Sequence, residues 1–271
     1  MSGALPVAAH SPRIDPGHAE GVDLRAVKAA SRPELVAYAA AAAENAQHLL
    51  DDAELLSDAG RQPRAYTLGV LSVEEFGKAV SLLTLAAMPE NLRAQAPVRR
   101  LLECHQLKQV GGLLMAAMPL SEPGVAGRLA AMPLPMLKQI LDGMDAFVQD
   151  ADRLKLRGLY VDMQHGARIR RPSEITEAEV SDQLCRARQV ASSARLLRDP
   201  EERARLADPC GEAIELAQAL VSAFAESGDI CRPGAAAAAT LEAVREMQDH
   251  KAARAKPATP AGPKRLSGRP C

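Results

Sequence analysis

The sequence predicts an all-α protein: a helical bundle with additional C-terminal helices and disordered termini. Three observations carry this. Aromatic residues make up 2% of the 271, with no Trp, three Tyr and three Phe, too few to fill the interior of a sandwich or barrel. The apolar mass is instead Ala and Leu, which favour helix. Two capping boxes, Ser31–Glu34 and Thr176–Glu179, mark helix starts.

Residues 1–30 are rich in Pro, Gly and Ala with weak periodicity, and are expected to be mobile. From Ser31 a first helix runs to about Ser57, and Gly60 stops it. Its apolar residues Leu35, Tyr38, Ala42, Leu49, Ala53 and Leu56 recur at helical spacing. Pro63 opens a second helix ending near Met88-Pro89, with Gly69, Gly77, Ala65 and Ala79 allowing close approach of a neighbour, within the chain or in a second copy. A third helical region includes Val98–Gln109 and is expected to break or kink near Pro97 and Gly111-Gly112. A helix over about Pro135–Leu156 leads into Arg157-Gly-Leu-Tyr-Val-Asp162 and a loop through Pro172. Thr176 starts a helix to about Leu197, and two more are expected near Glu212–Ala225 and Ala235–Ala253. The tail beyond is Pro-rich, basic and expected to be disordered.

Charge and composition limit the function classes. Net charge is −1, but Arg254–Cys271 carries +5 with no acid, leaving −6 on residues 1–253. That excludes a uniformly basic, nucleic-acid-coating protein, so any nucleic-acid contact is local. The longest run without a charged residue, Gln109–Ser121, has 13 residues, short of the roughly 20 a membrane-spanning helix needs. The first residues have no charged segment followed by an apolar run, so no secretory signal is expected. Five cysteines with no CxxC pair fit a reducing compartment, and the expected location is the cytoplasm. No cofactor or metal site is expected: phosphate-cradling glycine loops and metal-ligand spacings are missing from the sequence.

Three places could carry chemistry. In the second helix, Glu74, Glu75 and Lys78 interrupt an otherwise uncharged stretch from Ala65 to Pro89. Lys78 can bridge to either glutamate, as a surface salt bridge or as a polar cluster turned to the interior. His105 lies near Arg99, Arg100 and Lys108. Histidine takes or gives a proton near neutrality, and Arg and Lys stabilise charge on phosphate. Together they suit metal-free RNA cleavage, although a solvated surface histidine is the plainer reading of His105. Arg100–His105 fits an Arg-x4-His pattern that should arise by chance about 0.6 times in this composition. Arg13–His18 and Arg245–His250 also fit it. The third place is the segment 153–171. Arg153, Lys155, Arg157, Arg168, Arg170 and Arg171 outweigh Asp162 there, giving +5, with Tyr160 as its one stacking side chain.

Ala46-Gln-His-Leu-Leu-Asp-Asp-Ala-Glu-Leu-Leu56, followed by Ala65-Tyr-Thr-Leu-Gly-Val-Leu-Ser-Val-Glu-Glu-Phe-Gly-Lys-Ala79, resembles the AbiV family of abortive-infection proteins. His105-Gln-Leu-Lys108 is similar to the family's H-x-x-K, and Arg157–Asp162, followed by Pro172, to its R-x-x-L-Y-V-D segment. The resemblance covers about residues 35–175 and implies a HEPN-like helical bundle, often dimeric, in prokaryotic phage defence. Together with the composition breaks above, it divides the chain into a head (1–30), a HEPN-like core (31–175), a helical extension expected to pack on the core (176–253) and a basic tail (254–271). It further implies a metal-independent ribonuclease that stops translation or growth. His105, Arg100 and Lys108 would be catalytic, Arg157 and Tyr160 would contact RNA, and Glu74, Glu75, Lys78 and Asp162 would support them. The expected partners are RNA, a phage or host protein, and a second copy of the chain. The alternatives are a non-catalytic protein that blocks translation by occupancy, or an antitoxin-like partner.

Overall fold

The computed structural model describes residues 23–117, 131–163, 169–201, 211–226 and 235–255. The expected mobile head up to residue 22 and basic tail from residue 256 lie outside the described residues. Helix α1 (Leu24–Ala29) falls inside the segment expected to be mobile. Asp23 caps it, accepting hydrogen bonds from the Arg25 and Ala26 amides, and Val27 is buried.

Helix α2 (Arg32–Asp58) begins with the expected capping box: Ser31 Oγ accepts from the Glu34 amide, and the Glu34 carboxylate accepts from the Ser31 amide. It ends at Gly60, whose φ of 71° lets the Arg61 amide turn back to the Leu56 carbonyl at 2.8 Å. Helix α3 (Gln62–Ala87) follows. Two short helices, α4 (Glu90–Gln95) and α5 (Val98–Glu103), lead to α6 (His105–Ala117). The chain continues in α7 (Leu134–Leu159), a two-stranded antiparallel pair and a 3-10 turn at Pro172–Glu174. The strands are β1 (Asp162–Met163) and β2 (Ile169–Arg170), with Asp162 opposite Arg170. Helix α8 (Glu177–Ala194) carries the second capping box, from Thr176 to Glu179. A 3-10 turn (Arg195–Arg198), α9 (Gly211–Glu226) and α10 (Ala235–Ala255) complete the described chain.

Helix α3 is the hub. It is buried on nearly all sides, and α2, α6, α7 and α8 pack around it. That burial follows from its composition, since a helix apolar all round belongs inside a bundle. Phe76, Leu82 and Leu85 are among its fully buried side chains, each worth about 1.5–3 kcal/mol relative to exposure. A smaller apolar cluster joins Val110 of α6, Leu137, Leu141 and Val148 of α7, and Val244 of α10.

One expectation is corrected. The break near Pro97 is present, but α6 runs unbroken through Gly111-Gly112, and the second break falls at Cys104. Gly112 serves close packing, whereas a Cβ on Gly111 would meet only ordinary contacts at 3.9 Å. A Cβ on Gly112 would lie 2.8 Å from the Val73 carbonyl oxygen, and one on Gly77 would lie 1.6 Å from the Lys108 carbonyl oxygen. Helices α3 and α6 therefore cross backbone against backbone. Gly69 in turn faces Gln183 of α8, and Ala65 and Ala79 are fully buried. The small residues of α3 are thus occupied within the chain. Among the described residues, no helix is long and apolar enough to cross a membrane.

Candidate active site

The crossing at Gly77 brings the polar side chains of three helices together. Glu74 sits one turn before Gly77 on α3. His105 and Gln109 flank Lys108 on α6, and Asp152 and Lys155 come from one turn of α7. The Glu74 side chain is 2% exposed. Its Oε1 accepts hydrogen bonds from Lys155 Nζ at 2.5 Å and Gln109 Nε2 at 3.0 Å. Lys155 Nζ also meets Asp152 Oδ1 at 3.1 Å, and Gln109 Nε2 donates to the same oxygen at 2.8 Å. Glu74, Lys155, Asp152 and Gln109 therefore form a closed ring of four polar contacts. Both hydrogens of the Gln109 amide are used in it, which fixes the amide's orientation.

The second oxygen of Glu74 faces outward, 2.6 Å from His105 Nδ1. A carboxylate can only accept, so Nδ1 carries the hydrogen. The imidazole is 58% exposed, and no hydrogen bond holds its Nε2 among the described residues. Burial alone would push the Glu74 carboxyl up. Hydrogen bonds from His105 and Lys155, the charge of Lys155 and, in the acid range where Glu74 titrates, that of the protonated imidazole outweigh it and hold Glu74 below the usual carboxylate value. Burial would likewise lower Lys155, but the hydrogen bond to Glu74 and the charges of Glu74 and Asp152 raise it. Both groups are thus ionised at neutral pH. A buried carboxylate that orients an exposed imidazole through Nδ1 is an arrangement in which the neutral ring can accept a proton at Nε2.

The other residues singled out in the sequence are placed as follows. Arg100 is half-buried on α5, while His105 opens α6. The break at Cys104, with ψ at 111°, separates them, so the offset of about 140° that five residues of one continuous helix would impose does not apply. Lys108 is 7% exposed, buried at the Gly77 crossing. Glu75 and Lys78 form a second cluster with α2: Lys78 Nζ lies 3.5 Å from Glu75 Oε2 and 5.3 Å from the centre of the Tyr38 ring, and Asn45 donates to Glu75 at 3.3 Å. Arg157 donates to the Glu174 carbonyl oxygen at 2.5 Å, pinning the 3-10 turn to the end of α7. Tyr160 is 61% exposed just beyond α7. Asp162 pairs through its backbone with Arg170, and its side chain is not among those described. Of the basic segment, Arg168 lies outside the described residues, and Lys155 faces the ring.

Gln109 and Asp152 were not singled out from the sequence. One signal was available: Val148, Ala151, Lys155 and Gly158 share one buried face of α7 at helical spacing, so Lys155 is due inward although it sits in a basic run. Among the described residues, no group of three or more His, Cys, Asp or Glu side chains is arranged to hold a metal ion. A family model described as AbiV, of the HEPN group, matches residues 34–192, and that span contains the ring, His105 and Arg100. No curated protein and no solved structure matches the chain.

Proposed function

The chain belongs to the AbiV family of the HEPN group, and on that premise we propose that it is an abortive-infection protein acting as a metal-independent endoribonuclease. The observation that supports this reading is the Glu74–His105 pair: a buried carboxylate 2.6 Å from Nδ1 of an exposed imidazole. In the proposed reaction, Nε2 takes the proton of an RNA 2′-hydroxyl. The 2′-oxygen attacks the adjacent phosphorus and the bond to the 5′-oxygen breaks. The departing oxygen takes a proton from water, and the hydroxide so formed takes the proton from the imidazolium, leaving a 2′,3′-cyclic phosphate, a 5′-hydroxyl and the neutral ring. Arg100 is the cation offered to the phosphate, because a guanidinium can stabilise charge on it as its geometry changes. Tyr160 offers an exposed ring for a base. A homodimer would bring two such sites together, and its contact would lie away from Gly69 and Gly77, which α8 and α6 already fill.

A second reading has its own observation. Of the two cations expected at phosphate, Lys108 is buried, and Arg157, expected to contact RNA, is half-buried and bound to a carbonyl oxygen. This favours a protein that stops translation by occupancy. Purified chain incubated with total RNA in EDTA separates the two readings. The ribonuclease reading expects cleavage ending in cyclic phosphate, lost by about 10²–10⁴-fold in His105→Ala and retained in His250→Ala. Undiminished cleavage by His105→Ala, or none by the wild type, overturns it.

A further inference from the structure

Glu74 divides its two oxygens between two tasks: Oε1 closes the ring with Lys155 and Gln109, and Oε2 holds His105. The charges in this arrangement are two carboxylates, Glu74 and Asp152, and one ammonium, Lys155. The Lys155 side chain is 10% exposed, and its ammonium lies within 3.1 Å of both carboxylates. We propose that Lys155 is a positioning residue for His105: it supplies the countercharge of Glu74, so that the imidazole docks on Glu74 as a neutral hydrogen-bond donor and its Nε2 is left as a base.

The argument is one of local neutrality. A buried carboxylate needs a cation. Without Lys155, Glu74 and Asp152 would face each other across the Gln109 amide, and the imidazole would be the one cation in direct contact with them. A protonated imidazole has no lone pair on Nε2 and cannot accept a proton. The charged groups bonded to His105 directly or through the ring are Glu74 from α3 and, behind it, Asp152 and Lys155 from α7; Arg100 of α5 and Lys108, three residues on along α6, are further cations of the same site. Among the described residues, no ion pair joins the imidazole to a side chain of α5, α8 or α10. The ring also explains why a lysine in a segment of +5 is turned inward while its neighbour Arg153, 59% exposed, pairs with Asp150 at the surface. This role rests on the proposed function only for its use in catalysis; the charge coupling itself needs no activity.

The test is the titration of the His105 imidazole, followed by NMR in the full chain, with His250 as an internal control. Removing a nearby cation favours the protonated ring, so Lys155→Met is expected to raise the His105 midpoint by about one pH unit or more. Lys155→Arg is expected to keep it at the wild-type position. Asp152→Asn removes an anion and is expected to lower it. A folded Lys155→Met chain titrating with the wild-type midpoint overturns the proposal. If that variant does not fold, Asp152→Asn decides: an unchanged or raised midpoint overturns it, and a lowered one supports it. In a chain that cleaves RNA, the acid limb of the pH–rate profile moves in the same direction as the midpoint. Shifted midpoints in a chain that cleaves nothing would overturn the ribonuclease reading and still support the role of Lys155.

Discussion

Glu74 and Glu75 are neighbours in the chain and opposites in the fold. Side chains one residue apart on a helix point about 100° apart, and here that angle separates the hub's interior from its rim. Glu74 is bound by residues 31, 35 and 81 positions away. Glu75 is bound by Lys78, three residues on, and by Asn45 of α2. The pair Glu75–Lys78 is half-exposed, at 22% and 17%, whereas Glu74 is at 2%. Burial thus turns the same side chain from a local surface contact into a junction of three helices.

The contrast is sharpest in stability. Breaking a buried, paired charge costs about 3–5 kcal/mol, so Glu74→Ala is expected to lower the unfolding free energy by that order, read from urea denaturation. Next in size is Gly77→Ala. Its added methyl would meet the Lys108 carbonyl at 1.6 Å, and overpacking of this kind costs about 1–3 kcal/mol. A thermal melt unchanged from the wild type would show that α3 and α6 do not meet there. A smaller effect separates the clusters by pH. The Glu74 carboxyl is held below its usual value of 4.5, so its contribution is present above that value and fades as pH falls through the lower, folded one. Lys155, raised above 10.5, adds stability that is complete below that value and fades as pH rises through the folded one. Glu74→Gln is expected to flatten the acid fall in stability. The same acid slope in mutant and wild type would count against the ring. Smallest is Glu75→Ala, expected to cost within about 0.5 kcal/mol, because half-exposed pairs at i,i+3 contribute little. A loss as large as that of Glu74→Ala would erase the distinction.

The same contrast explains what the sequence made legible. Local rules see what is local. Both capping boxes form with both of their hydrogen bonds, and the possible bridge from Glu75 to Lys78 is present. Close approach at Gly69 and Gly77 was readable, and the structure assigns it to α8 and α6. The two-glycine run at 111–112 misleads, because the same lack of a side chain that permits a kink also permits a crossing. The resemblance brought Glu74 and His105 forward on separate motifs, and the fold pairs them. Nothing in the sequence marks Asp152 and Gln109, because an isolated Asp or Gln on a helix is ordinarily solvated and the other two helices that surround each are distant in the chain. Lys155 was hidden by its neighbours: Arg153 and Arg157 make its surroundings read as a basic surface, and only the buried face it shares with Val148, Ala151 and Gly158 shows otherwise.

The contact of Gly77 with the Lys108 carbonyl has a consequence for insertions and deletions. Two helices that touch through their backbones cannot slide past one another by a fraction of a turn, since the next residue along α3 at the contact would bring a side chain. Register is therefore fixed to the single residue. One codon gained or lost between His105 and Lys108 would keep every residue type of the ring yet swing the imidazole about 100° around α6, away from Glu74. Substitutions can spare this site, but a change of length there cannot.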